Sequence, residues 1–188
     1  MTAFERHDAE AADHHADAVW TLYDAVFGDT ADQASWRTDL WDRHRARDGF
    51  RLVTAYDEES SGSSGLRGFG WAYLGERGQY WSDRVVAVLP QAVGDTWVGG
   101  HLEVVELATA PAARGQGIGG RLLDLLVADR CQRVALLSTS ADESDPAVRL
   151  YRSRGWTTVG LLGEGVQVMG LPADRAEQGV PPRDPAPR

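Results

Sequence analysis

One stretch limits what this chain can become: from His101 to Val127 a β-rich run, a glycine-rich turn and a helical pattern follow one another. Leu102, Val104, Val105, Leu107 and Ala108 read as an apolar strand closed by Pro111. Glycines at 115, 117, 119 and 120 then lead into Ile118, Leu122, Leu125 and Leu126, which recur at helical spacing. A helix that opens on glycine presents unpaired backbone N–H groups and the positive end of its dipole, with no Cβ to keep an anion away. This turn is therefore expected to hold a phosphate.

Composition narrows the partners. Of the 188 residues 43% are apolar, enough for a real core, and the reading is a single domain over residues 1–171 with a disordered, Pro-rich tail over 172–188. A net charge of −9 argues against nucleic acid and favours a cationic small partner. Cys131 is the sole cysteine, which excludes an intrachain disulfide, and His7, His14, His15 and His44 lack ligand spacing, so no metal is expected. No apolar run approaches the ~18 residues of a membrane span, and the N-terminal residues carry no apolar leader pattern. The expectation is a cytoplasmic protein with no membrane partner, and the sequence admits a homodimer.

The first fifty residues read as helical. Val19, Leu22, Tyr23, Val26 and Phe27 make a one-faced stripe ending at Gly28, and Asp29 or Thr30 is the expected cap of a second helix bearing Trp36, Leu40 and Trp41 and stopped by Gly49. Phe50 to Tyr56 and Leu66 to Leu74 read as a hairpin joined by a polar, mobile Ser/Gly linker. Gly75 to Asp83 reads as a loop with Tyr80 and Trp81, followed by a short helix over Arg84 to Leu89. A strand over Val134 to Ser138, a helix over Asp145 to Arg154, and a hairpin of Trp156 to Leu162 with Val166 to Leu171 complete the pattern.

Three readings of the glycine turn compete. Gly115-x-Gly117-x-x-Gly120 fits a dinucleotide fingerprint, but the next strand closes on Ser138-Thr139-Ser140 where an acidic residue belongs. The chain has no lysine, so a Walker-type loop is excluded. Anchored on Arg114 after Pro111, as Arg114-x-x-Gly117-x-Gly119, the turn resembles the acetyl-CoA motif of the GNAT superfamily of N-acetyltransferases. Some 30 residues on, Ala147-Val148-Arg149-Leu150-Tyr151 followed by Gly155-Trp156 is similar to that family's second signature. The likeness covers about residues 100–171, the earlier part agreeing in layout. It departs at Ser144, where the family often carries asparagine beside the cofactor; the chain has no asparagine at all.

The resemblance implies a mixed α/β fold: a twisted, mostly antiparallel sheet flanked by helices, with a V-shaped split between two central parallel strands. It implies acetyl-CoA as co-substrate, held by Arg114, Gly115, Gln116, Gly117, Ile118 and Gly119 around the pyrophosphate, by the backbone of Leu107, Ala108 and Thr109 along the pantetheine arm, and by Ser144. The activity implied is direct acetyl transfer to an amine; a non-catalytic acyl-CoA sensor of the same fold is the alternative, and a dinucleotide module a more distant one. Such a transfer needs a base for the amine proton and an acid for the departing thiolate. By the same resemblance Tyr151 is the acid. For the base, Glu103 and Glu106 are candidates on opposite faces of the strand by period-two alternation, with His101 sharing the face of Glu103. Asp29, Asp32 and Asp83 with the aromatics at 27–36, Tyr80 and Trp81 are candidates for an acidic, aromatic acceptor pocket. Cys131 reads as structural, since direct transfer requires no nucleophile.

Overall fold

Seven strands form one open sheet in the order β1-β2-β3-β4-β5-β7-β6, and the computed structural model describes residues 1–57 and 65–172 of the chain. The strands are β1 (Thr2–His7), β2 (Arg51–Asp57), β3 (Leu66–Gly75), β4 (His101–Thr109), β5 (Val134–Ser140), β6 (Thr157–Gly163) and β7 (Val166–Pro172). Neighbours run antiparallel except β4 and β5, which are parallel. The helices are α1 (Ala9–Ala12), α2 (Ala16–Val26), α3 (Gln33–Trp36), α4 (Asp42–Arg45), α5 (Tyr80–Val88), α6 (Gln91–Trp97), α7 (Ile118–Val127) and α8 (Pro146–Arg152). This is the mixed, mostly antiparallel sheet with flanking helices that the sequence leads one to expect. Most of the Ser/Gly linker and nearly all of the Pro-rich tail lie outside the described residues.

Alternation along the strands sends neighbouring side chains into different cores. Leu52, Trp71 and Tyr73 pack with Val19, Leu22 and Tyr23 of α2 and with Trp36 and Trp41. Val53, Ala72 and Val104 pack instead with Leu122, Leu123 and Leu126 of α7. Glycine lets α7 come close: a Cβ on Gly70 of β3 stands 2.9 Å from Leu126 Cδ1 and from the Glu106 carbonyl.

Four local expectations are corrected. The chain begins with a strand, β1, whose residues pair only with β2 and alternate too weakly to show in the sequence; cross-strand bonding holds it. The cap before Trp36 is Asp32, whose carboxylate accepts from Ser35 N–H at 2.8 Å, and a π-helical turn at Arg37–Trp41 carries the chain on to α4. Residues 75–100 hold two helices instead of a loop and one: α5 starts at Tyr80, so Tyr80 and Trp81 are helical, and α6 follows Pro90. The polar residues there are the outer face of helices whose Val85 and Leu89 are buried on Leu136 and Val168. Finally, the register of β3 against β4 slips between Trp71 and Ala72, so that Val105 is a bulged, extra residue. Glu103 lies opposite Tyr73 and Glu106 opposite Trp71, which puts both carboxylates on the same face of β4, the face toward α2.

Candidate active site

The bulge has a second effect. β4 and β5 pair at only two positions, Leu102 with Ala135 and Glu103 with Leu136, although the strands are nine and seven residues long. Past Glu103 they part, and a cleft of about 580 Å³ enters from the opened end. Leu107, Ala108 and Thr109 of β4 form one wall, the turn and first residues of α7 the second, and Ala147, Leu150 and Tyr151 of α8 the third.

The turn is built to receive an anion. Gly115 and Gly117 have φ of +75° and +79°, and a Cβ at either would meet nothing within 4 Å. Only glycine holds that backbone cheaply, and the space beside it stays open. The first capping bond of α7 runs from Arg121 N–H to the Gly117 carbonyl at 3.1 Å, so the N–H groups of Ile118, Gly119 and Gly120 precede the helical ladder. No acidic residue occupies that first turn, and Arg114 stands among the lining residues. These residues fit a diphosphate.

Eight of the nine residues assigned from the sequence to the turn and the neighbouring strand line this cleft: Leu107, Ala108, Thr109, Arg114, Gly115, Gly117, Ile118 and Gly119. Gln116 does not; its side-chain oxygen accepts from Arg67 at 2.6 Å and its nitrogen donates to the Ala112 carbonyl at 3.1 Å. Ser144 does not line it either. Its N–H donates to Asp142 at 2.8 Å and its carbonyl accepts from Arg149. The neighbouring Asp145 lines the cleft and caps α8 by accepting from Ala147 N–H at 2.7 Å. Val26, Ala113 and Pro146 also line it and carry no signal of their own in the sequence; only the fold brings α2 there.

The two carboxylates of β4 have different surroundings. Glu103 is 4% exposed, its Oε1 accepts from the Tyr73 hydroxyl at 2.9 Å, and its Oε2 lies 3.8 Å from His101 Nε2. His101 Nδ1 accepts from Gly99 N–H at 3.2 Å, which leaves the ring proton on Nε2, facing Glu103. Burial pushes the Tyr73 phenol up, and the charge of Glu103 adds to it. Glu106 is half-buried beyond the last paired rung, and burial, with Asp29 nearby, pushes its carboxyl up to about 8. Burial and, after it, Glu106 push the Tyr151 phenol up to about 12.

The proposed aromatic, acidic pocket separates. Asp29 does not line the cleft, but its charge acts on the Tyr23 phenol and on Glu106. Phe27, 40% exposed, lies with its ring centroid 4.8 Å from that of Tyr23. Asp32 is spent on its helix cap, and Asp83 accepts from Gly78 N–H at 2.8 Å. Trp81 donates to Ser138 Oγ at 3.2 Å, while Tyr80 points to solvent at 76% exposure. Among the described residues no helix is long and apolar enough to cross a membrane, and no group of three potential metal ligands is assembled.

Known proteins share this architecture. The chain is 28% identical over 147 residues to the GCN5-like protein acetyltransferase Rv2170 of Mycobacterium tuberculosis, a match covering 65% of this chain and 71% of that one. A putative GNAT-family acetyltransferase from Desulfovibrio desulfuricans superposes with a TM-score of 0.62 at 18% identity, covering 92% and 99% of the two chains. Arabidopsis thaliana NAA60 in complex with acetyl-CoA gives 0.60 at 15% identity over 91% and 98%. The ribosomal-protein-S18-alanine N-acetyltransferase of Escherichia coli gives 0.59 at 13% over 96% and 99%. At such identities the superpositions speak for the fold, but the sequence pattern of the Acetyltransferase (GNAT) family itself matches residues 16–156. The chain belongs to the GNAT acetyltransferase family.

Proposed function

We propose that this protein transfers the acetyl group of acetyl-CoA directly to an amine. The observation that carries the reading is the meeting of three features in one cleft: a glycine turn fit for a diphosphate, the open edge of β4, and Tyr151 on the α8 wall, on whose phenol the charge of Glu106 acts. Gly115, Gly117 and the first N–H groups of α7 bind the diphosphate with Arg114, and the backbone of Leu107 to Thr109 orients the pantetheine arm. Bound acetyl-CoA supplies the thioester, so that a C–N bond forms as the C–S bond breaks.

The chain's own residues handle the protons. Glu106, raised to about 8, accepts the proton shed at nitrogen. We assign it this task over Glu103, which is enclosed at a paired rung with one oxygen already committed to Tyr73. Tyr151, at about 12, keeps its proton in neutral water and donates it at the leaving sulfur. Asp29 and the exposed ring of Phe27 favour an acceptor that arrives as a cation. The exposed thiol of Cys131 suits a reducing, cytoplasmic setting.

The test is a calorimetric titration with CoA followed by thiol release from acetyl-CoA across a panel of amines. Binding with turnover is expected. No binding overturns the assignment, and binding without turnover on any amine makes the chain a sensor of the same fold. Tyr151→Phe is expected to lower kcat about tenfold or more while leaving the CoA dissociation constant within about twofold. Equal turnover in that variant removes Tyr151 from the chemistry.

A further inference from the structure

Two walls of the cleft belong to different helices, and one side chain joins them. Arg154, just beyond α8, lays its guanidinium over the first turn of α7, in the space Gly120 leaves by having no side chain; a Cβ built on Gly120 meets Arg154 Nη2. Arg154 Nε donates toward the Gly120 carbonyl at 3.2 Å and Asp124 Oδ1 at 2.8 Å, and Nη1 donates to Ser153 Oγ at 3.2 Å. Its own backbone N–H donates to the Tyr151 carbonyl at 2.9 Å. Gly120 lines the cleft from α7, and Leu150 and Tyr151 line it from α8.

A cation is an unfavourable occupant of a helix's first turn, where the dipole is already positive. Asp124 offsets it only in part, because the two side chains are 29% and 46% exposed. The arrangement makes sense if the first turn of α7 has an anion to hold, since the guanidinium then adds a fixed positive charge behind the glycine turn. It also ties the wall that carries Tyr151 to the wall that carries the turn.

We propose that Arg154 is a positioning residue of the co-substrate cleft, docking in the space left by Gly120 to hold a fixed positive charge behind the diphosphate. The inference rests on the cleft being the acetyl-CoA site. It makes Gly120 and Arg154 one unit, and it predicts that their effect depends on the phosphates of the acyl donor.

The experiment compares acetyl-CoA with S-acetylpantetheine, which carries the same thioester and no phosphate, at a fixed concentration of the best amine from the panel. Arg154→Met is expected to raise KM for acetyl-CoA about tenfold, with kcat and the kcat/KM of S-acetylpantetheine each within about twofold of wild type. Arg154→Lys keeps the charge without the planar fork and is expected to recover part of the loss. Gly120→Ala removes no charge but displaces the guanidinium, and is expected to raise the same KM about threefold or more while adding nothing in the double variant. Where no amine turns over, the dissociation constants of CoA and pantetheine give the same contrast. An unchanged KM in folded Arg154→Met, equal losses on both donors, or additive effects of the two substitutions overturn the proposal. Should Arg154→Met fail to fold, Gly120→Ala, which exchanges glycine for a better helix former, decides alone. A wild-type chain that binds no CoA removes the cleft assignment and this inference together, whereas one that binds CoA with an affinity insensitive to both positions overturns this inference only.

Discussion

A carboxyl that parts with its proton only near pH 8 can take one from nitrogen and still return to carboxylate in mildly alkaline water. Glu106 is such a group, and the base must be ionised to act, so the rate is expected to rise with pH through about 8. Glu106→Gln is expected to lower kcat about a hundredfold and to abolish that rise in a pH–rate profile; an unchanged profile returns the role to Glu103, His101 or water. The same shift has a signature in stability. Because the folded-state pKa lies above the ordinary 4.5, the stabilisation of the protonated form is complete below 4.5 and is lost as pH climbs through about 8. Thermal melts are therefore expected to show Glu106→Gln gaining on wild type at pH 9 relative to pH 6. Both carboxylates can be picked out from the sequence. Which of them is left free of a strand partner's hydroxyl cannot, because that depends on the bulge at Val105 and on Tyr73 as the partner of Glu103, both set by the pairing of β4 with β3.

At the level of elements, the chain is legible where a helix has one apolar face and closed where contacts are made at long range. The stripes from Val19 to Phe27 and from Ile118 to Leu126 identify α2 and α7 because period-3.6 burial is written into neighbouring residues. β1 has no comparable mark, since its edge position leaves Glu5 and Arg6 exposed and its strand pairing is with β2. The helices α5 and α6 are obscured by their Gly and Pro flanks and by aromatic residues on outer faces. Packing of α7 on β3 is also a contact of elements, and it depends on glycine at the crossing. Gly70→Ala puts a methyl carbon 2.9 Å from backbone and from Leu126. It is expected to cost about 1–3 kcal/mol, read as a fall of several degrees in Tm. An unchanged Tm would mean that β3 and α7 separate freely.

Over the whole molecule, three histidines of the first fifty residues are bonded to side chains of β2 and β3. His7 Nε2 is 2.9 Å from Thr54 Oγ1, His15 Nδ1 is 3.0 Å from the Tyr56 hydroxyl, and His44 Nδ1 accepts from Trp71 Nε1 at 3.3 Å. Burial is the first cause lowering each of them from 6.5, His44 down to about 4 with the help of Arg47 and Arg43. The unfolded chain therefore takes up more protons below pH 6.5, and stability falls as pH drops from 6.5 toward 4, with Glu106 working the other way over that span. Urea midpoints measured from pH 7 to 4.5 are expected to fall in wild type and to fall less in His44→Gln. The overall plan of the sheet follows from two short motifs in order, whereas its opened centre follows from a pairing that stops after Glu103. From Val104 onward β4 has the backbone of an edge strand while lying in the middle of a sheet. Edge strands ordinarily invite another chain. This one is walled by α7 and α8, and a slender arm with amide groups of its own can add itself there. On the proposed function the sheet is one strand short by design, and the missing strand arrives with each turnover and leaves with the product.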